Sequence, residues 1–177
     1  MRSTISSAVR INRSIFLLLS ICLIWLSGET KAEDGWGLYE NSRFGFVIPV
    51  PPGMSAAPPP PNGDGRGFVS GDGQIHLSAW GSFNVDGLSD VKKRWKEELA
   101  VQGRTVTYKR KTSDWFVVSG IEADGTHFYY RHTANAKYAA GWMVRYPASE
   151  EALLSSWVER IAAGYEARLG GGSDTIE

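Results

Sequence analysis

Four runs of strand-forming residues follow one another closely in the second half of the chain. These runs comprise residues 105–110, 115–120, 126–133 and 139–146. Only short polar segments, such as Thr112-Ser113-Asp114 and Asp124-Gly125, separate them. Connections this short join antiparallel strands, because a parallel pair needs a crossover of a dozen residues or more. The sequence therefore predicts an antiparallel meander at the centre of the fold.

Two further hairpins are predicted before this meander. Apolar runs at residues 36–39 and 44–50 form the first, and runs at 67–70 and 74–81 form the second, about Gly71-Asp72-Gly73. Glycine supplies the positive φ that tight hairpin turns need. Prolines are concentrated between the two hairpins and cannot donate a backbone hydrogen bond. Residues 51–65 are therefore predicted to form an extended surface loop with polyproline character.

Two amphipathic segments predict helices. The first spans residues 88–102, with apolar positions Leu88, Val91, Trp95 and Leu99. Ser89 is the expected N-cap and Gly103 the residue that ends the helix. The second opens at residues 149–151, and its apolar stripe comprises Leu153, Leu154, Trp157, Val158, Ile161 and Tyr165. Strands and helices together predict a single α+β domain over residues 33–169, followed by a flexible glycine-rich tail at 170–177.

Alternation along the strands predicts two faces of the sheet. The face expected to form the core collects Phe44, Phe46, Ile48, Ile75, Leu77, Ala79, Phe128, Tyr130, Trp142, Val144 and Tyr146. The opposite face mixes polar and aromatic groups: Trp80, His127, Tyr129, Arg131 and Arg145, with His76 and Met143. Because aromatic residues and arginine are enriched at binding hot spots, the first five of these are the candidate partner-binding residues. A helix packed on that face would instead make the aromatics part of the core.

The N-terminal segment has the three-part layout of a secretory signal peptide. Arg2, Arg10 and Arg13 precede an apolar run at residues 15–26, and Thr30-Lys31-Ala32 places small residues where signal peptidase cleaves. An apolar run of 12 residues is shorter than the roughly 20 residues that span a bilayer, although an uncleaved anchor is the alternative. We therefore expect cleavage after Ala32 and a periplasmic or secreted domain without a transmembrane segment.

Cleavage also changes the cysteine content and the charge of the domain. Cys22 is the only cysteine of the chain and lies within the signal, so the mature domain is expected to hold no disulfide and no thiolate metal site. The signal removes four basic residues and Glu29 from totals of 19 basic and 19 acidic residues, which leaves 15 and 18. A slightly acidic domain gives no basis for a nucleic-acid partner.

Several phrases of the sequence carry a family resemblance. They are Trp36, Tyr39 and Asn41 before Arg43-Phe-Gly-Phe-Val-Ile-Pro49, the turn at 62–65 running into Phe68 and 70–73, the helix around Trp95, and Tyr146-Pro147. In these phrases and in the order of elements, residues 36–168 resemble the Mog1/PsbP-like superfamily, including the DcrB-like exported proteins of bacteria. The resemblance implies an αβα sandwich with a curved antiparallel sheet. It also implies a binding or assembly module for protein partners, without catalytic residues.

Motifs for catalysis and for metal binding are weak in this chain. Asn62 and Asp64 resemble the start of a calcium loop, but Gly73 stands where the bidentate acid is needed. His127 and His132 are five apart on one strand and are predicted to point to opposite faces. Ser119, Asp124 and His127 are the residue types of a hydrolytic triad, but no G-x-S-x-G elbow surrounds the serine. The acidic pairs 97–98 and 150–151 are interpreted as solvated helix faces.

These observations favour an exported non-enzymatic binding or assembly module of the cell envelope that uses no cofactor. It is expected to engage an envelope protein or a hydrophobic ligand through the sheet face and residues 51–65. One alternative is a small exported hydrolase whose catalytic groups come from distant parts of the chain. Another is an inhibitor or immunity-like protein that blocks an envelope enzyme with residues 51–65.

Overall fold

The computed structural model describes residues 35–173, which fall within one compact unit, residues 32–177. The predicted signal peptide and residues 174–177 lie outside the described residues. The strands are β1 (Gly37–Glu40), β2 (Val47–Val50), β3 (Met54–Ala56), β4 (Gly65–Ser70), β5 (His76–Phe83), β6 (Thr105–Lys111), β7 (Trp115–Ile121), β8 (His127–Ala134) and β9 (Tyr138–Tyr146). The α-helices are α1 (Val91–Leu99) and α2 (Glu151–Gly164). No helix in the described range is long and apolar enough to cross a bilayer.

Seven strands form one antiparallel sheet in the order β3-β4-β5-β9-β8-β7-β6. Strands β6 to β9 lie side by side in chain order and form the predicted meander. Strands β4 and β5 form the second hairpin, which turns at Gly73 with a φ of 75°. Strands β1 and β2 pair separately as the first hairpin. The predicted meander and both predicted hairpins are confirmed, with bounds shifted by a few residues.

A helix covers each face of the sheet. Helix α1 packs on β7 and β8, where Trp95 meets Phe116 edge to face with ring centroids 5.5 Å apart. On the other face, α2 and the β1–β2 hairpin pack together, and Leu154 and Ile161 are buried in the same cluster as Trp142. The two apolar clusters on either side of the sheet make an αβα sandwich. This arrangement confirms the predicted α+β class with two main helices.

Strand β7 is buried on both faces, because Phe116, Val117 and Val118 are almost fully inaccessible. Its position differs from the predicted central one, since only β6 separates it from the edge of the sheet. Val117 faces away from α1 and lies between its cross-strand neighbours Arg110 and Arg131. Long side chains on adjacent strands are thus placed to shield a position that no helix covers.

The proline-rich segment and the start of α1 also differ from the predictions. Residues 54–56 are strand β3, paired with β4, because they lie between the prolines and keep their N–H donors. The N-cap of α1 is Asp90 instead of Ser89. The backbone N–H of Ser89 donates to Asn84 Oδ1 (2.7 Å), which keeps the chain in a preceding turn.

The first part of the predicted flexible tail is packed against the domain. The N–H of Ser173 donates to the carbonyl of Ser42 (2.9 Å), in the turn between β1 and β2. Gly45 in this turn has a φ of 82°, and a Cβ atom there would lie 2.5 Å from the carbonyl carbon of Gly171. Glycines on both sides of the contact therefore allow the two backbones to approach closely.

Candidate functional site

The five residues predicted to share a binding face lie on opposite faces of the sheet. Directly opposed residues of an antiparallel pair point to the same face. Strand β8 pairs Tyr129 with Val144 and Arg131 with Trp142, and His127 with Tyr146, all on the α2 side. Trp80 and Arg145 pair with Gly141 and His76 on the α1 side. The prediction of one shared face is therefore wrong.

The error arises on β8, where aromatic residues occupy both alternating sets of positions. Phe128 and Tyr130 were assigned to the same face as Trp142, but they belong to the second core beneath α1. Because a helix covers each face of the sheet, both sets are apolar, and alternation alone does not show which set faces which helix. The register between β8 and β9 decides which set of β8 residues faces α2.

Trp80 and Arg145 are held in place on the α1 side. The ring of Trp80 stacks on that of Tyr130, with centroids 5.6 Å apart and planes inclined by 21°. Arg145 Nε donates to Glu122 Oε1 (3.1 Å). The aromatic side chain therefore packs as part of the second core, as the alternative interpretation of this face anticipated.

The other three residues make structural contacts on the α2 side. His127 Nδ1 lies 2.5 Å from Glu151 Oε2, which joins β8 to the first turn of α2. The Arg131 guanidinium lies over the Trp115 ring, with its Cζ 4.4 Å from the ring centroid. Cation–π contacts of this kind hold the long side chain flat against the sheet.

The residues of the weighed hydrolytic triad do not come together. Asp124 accepts a hydrogen bond from the backbone N–H of Thr126 (2.9 Å), and this bond lowers the pKa of its carboxyl below the ordinary value. His127 is bound to Glu151 instead. Within residues 35–173, no hydrogen bond joins Ser119 Oγ to His127. The structure provides no assembled nucleophile and base at these positions.

The candidate metal ligands are also dispersed. The Asn62 side-chain amide donates to Asp64 Oδ2 (2.7 Å), so these residues bind each other within their turn. His127 and His132 lie on opposite faces of the sheet, as predicted, because they pair with Tyr146 and Gly141. In the described part of the chain, no three His, Cys, Asp or Glu residues cluster as a metal ion would need.

A chain of alternating charges crosses the α1 side of the sheet. Glu98 binds Arg94 and Arg104, and Arg104 also binds Glu122, with distances of 2.8 to 3.1 Å. The prediction that Glu98 is a solvated helix residue is wrong, since it is 9% exposed. These ion pairs fasten α1 to the sheet.

An apolar groove lies at the other end of the sheet, beside the first hairpin. Its volume is about 430 Å³. The residues that line it are Gly37, Leu38, Tyr39, Val50, Met54, Ala56, Arg66 and Phe68. Met54 and Ala56 pair with Ser70 and Phe68, so β3 and β4 supply the floor from one face. Leu38 is 69% exposed and borders this groove, which is predominantly apolar.

Strand β1 forms one wall of the groove, and its edge away from β2 has no backbone hydrogen bond to another described residue. On the far side of β2, the N–H and C=O of Val47 pair with Glu166 at 2.9 and 3.0 Å. Alternate residues of a strand direct these groups to opposite sides, so Val47 and Pro49 do not bond to β1. Their opposed residues Glu40 and Leu38 therefore direct their own N–H and C=O groups away from β2. Within the described range these groups form no backbone hydrogen bond.

Among the described residues that line the groove, Arg66 is the one cation. It lies on β4 opposite Ala79 and is partly buried. It forms no ion pair with any carboxylate in residues 35–173. The groove thus combines apolar contacts with an available positive charge.

Comparison with known proteins gives a likeness of structure. No family model matches the sequence, and no curated protein matches it. The solution structure of cyanobacterial PsbP (CyanoP) from Synechocystis sp. PCC 6803 matches 75% of this chain and 92% of its own, with a TM-score of 0.50 and 12% sequence identity. The chain has a PsbP-like fold. The predicted resemblance is thereby supported at the level of fold.

Most of the groove in this PsbP-like fold was missed by the sequence analysis. Met54 and Ala56 lie within the segment 51–65 that the sequence predicts to contact a partner, but no sequence pattern marks Leu38, Arg66 or Phe68 as site residues. No local pattern in the sequence shows that β1 lies beside Phe68. The groove exists because the first hairpin leaves the end of the sheet uncovered, which is a property of packing.

Proposed function

We propose that this chain is a non-enzymatic binding module of the cell envelope that holds an apolar segment of a partner protein in the groove beside β1. The observation that carries the proposal is the groove itself, with an apolar floor from Met54, Ala56 and Phe68 and the exposed Leu38 at its border. Its volume of about 430 Å³ is in the range of pockets that bind small ligands.

Burial of the groove would stabilise a complex. An exposed leucine beside an open apolar surface gains about 25 cal/mol for each Å² removed from water. Ser119, Asp124 and His127 do not assemble as a hydrolytic triad, so these residues do not support the hydrolase alternative. The slight negative charge expected for the domain favours protein surfaces over nucleic acid as the partner.

The predicted signal peptide supports the envelope as the proposed site of action. The signal-like N-terminus predicts a mature chain that begins at Glu33. N-terminal sequencing of the protein recovered from the envelope fraction tests this. Retention of residues 1–32 in the membrane would contradict it and would favour an anchored domain.

The binding site is tested by photo-crosslinking in the native cell. A photoreactive residue is placed at Leu38 and, as a matched control, at Leu88, which is 56% exposed and lies just before α1. We expect a discrete protein adduct from position 38 and not from position 88. Leu38→Glu in an untagged competitor should fail to reduce that adduct, whereas Leu88→Glu should compete normally.

Two outcomes would contradict the proposal. One is the absence of any adduct at position 38 in correctly exported, folded protein. The other is the same set of adducts from both positions, which would indicate non-specific contact. A small-molecule adduct at position 38 would indicate that the groove binds a hydrophobic ligand instead of a protein.

A further inference from the structure

We infer that the occupant of the groove is an extended peptide segment carrying a carboxylate, which adds to β1 as a third strand of the first hairpin. The inference rests on the proposed function and specifies its partner. It follows from the unpaired backbone of β1, the spacing of the floor residues and the position of Arg66.

The backbone of β1 offers a template for strand addition. Leu38 and Glu40 each direct an N–H and a C=O away from β2, and the intervening Tyr39 is paired with Ile48. An added strand would satisfy these groups with backbone hydrogen bonds, which give affinity for an extended peptide without regard to its side chains. A folded apolar surface or a lipid chain would leave them unpaired.

The other outer strands of the domain carry features that oppose strand addition. Strand β6, at one end of the sheet, has an irregular register between Val106 and Tyr108 and ends in Lys109-Arg110-Lys111. Strand β3, at the opposite end, is three residues long and is followed by four prolines at 58–61. Lysine, bulges and proline are the devices that protect sheet edges. Strand β1 (Gly-Leu-Tyr-Glu) contains no lysine, no proline and no shift in its register with β2.

The floor of the groove selects the side chains of the peptide. Alternate residues of a strand point to one face and lie roughly 6.5 Å apart. Alternate apolar residues of the added strand would therefore contact the floor at Met54, Ala56 and Phe68. Arg66 lies two positions from Phe68 on the same face of β4 and provides the charge for an aspartate, a glutamate or a terminal carboxylate.

Selection of linear random peptides displayed on phage against residues 33–177 tests this inference. We expect enrichment of peptides with alternating apolar residues and an acidic residue. Arg66→Glu should weaken their binding by about tenfold or more, because a charge-assisted hydrogen bond is replaced by repulsion. The matched control Lys109→Glu, on the remote strand β6, should leave the affinity within about twofold, as expected of an exposed charge far from the site.

Backbone pairing is tested by amide hydrogen exchange on the complex. The amides of Leu38 and Glu40 should become protected when an enriched peptide binds, whereas the amide of Tyr39 should change little. N-methylation of the alternate peptide amides whose N–H groups point to β1 should abolish binding. N-methylation of the other alternate set, which points away from β1, should be tolerated.

Strand addition is overturned if no linear peptide is enriched, or if both methylated series bind as well as the parent. The same follows if Leu38 and Glu40 stay unprotected in a peptide complex. A protein adduct at position 38 combined with any of these results would retain the proposed function and assign the groove to a folded partner surface. Loss of that adduct as well would remove both proposals.

Discussion

The indole ring of Trp142 stacks on the phenol ring of Tyr129, with centroids 4.9 Å apart and planes inclined by 20°. The two residues lie on neighbouring strands, and Trp142 is fully buried beneath α2. The pair extends the core from β9 towards the part of the sheet that α2 does not cover. Tyr129 is therefore a packing residue, although its type and position made it a binding candidate in the sequence.

Tyr129→Ala is expected to lower the free energy of unfolding by about 2 kcal/mol, because it removes a large ring that packs on a buried tryptophan. Tyr108→Ala is the control, since Tyr108 is 50% exposed on the edge strand β6. Its effect should stay below about 0.5 kcal/mol. Urea unfolding followed by tryptophan fluorescence measures both changes. Equal effects would show that Tyr129 is not part of the core.

Glu98→Gln is expected to destabilise the domain by about 2 kcal/mol, because Arg94 and Arg104 lose the carboxylate that they share. The Arg104 side chain is 10% exposed, so its charge is poorly solvated without this partner. Glu97→Gln, one residue earlier, removes an ion pair whose glutamate is 44% exposed and should cost less than about 0.5 kcal/mol. Thermal unfolding at low and at high salt compares the two variants. A cost for Glu97→Gln as large as that for Glu98→Gln would contradict a special role for the buried pair.

His132 is expected to make the domain less stable in mild acid. Burial lowers the pKa of its imidazole below the ordinary value of 6.5, and nearby Arg94 lowers it further, whereas the hydrogen bond to the Ser89 carbonyl (2.7 Å) opposes the shift. The unfolded chain therefore binds a proton near pH 6.5, and the folded chain binds it only at lower pH. The contribution of His132 to the free energy of unfolding is fully present above pH 6.5 and is lost as the pH falls below that value.

His132→Gln, which keeps a donor for the Ser89 carbonyl, should flatten this dependence between pH 7 and pH 5 in urea unfolding. His76→Gln, at an exposed position on the same face of the sheet, is the control and should leave the dependence unchanged. The carboxyl groups of Asp72, Asp114 and Asp124 have lowered pKa values, so they change the stability only below about pH 4, outside the range of this experiment. An unchanged slope in His132→Gln would contradict the assignment.

Gly45→Ala is expected to detach residues 170–173 from the turn between β1 and β2. The added Cβ atom would lie 2.5 Å from the backbone of Gly171, where nothing can move without displacing the segment. Gly53→Ala is a matched control, because Gly53 has a similar positive φ of 76° and no atom within 4 Å of the added Cβ. Both variants pay the cost of backbone strain, of order 1 kcal/mol. Only Gly45→Ala should accelerate proteolysis of the C-terminal segment and exchange of the Ser173 amide.

Elements with a strong local pattern were predicted well. The meander, the hairpin about Gly73 and the stripe around Leu154 and Ile161 follow from alternation, turn chemistry and helical spacing. Predictions that required the phase of a strand or the neighbour of an element were less successful. The position of β7 and the burial of Glu98 belong to this second group, because each depends on what packs against the residue.

By itself, the sequence determined the order and type of the secondary structure elements, the antiparallel pairing and the α+β class. These properties depend on neighbours within a few positions, whose spacing is present in the chain. Only the tertiary structure decided the face on which Tyr129 and Trp80 lie, and the groove between Leu38 and Arg66. With a helix on each face of the sheet, both faces are apolar, so the register between distant strands, and not alternation, sets which side chains meet.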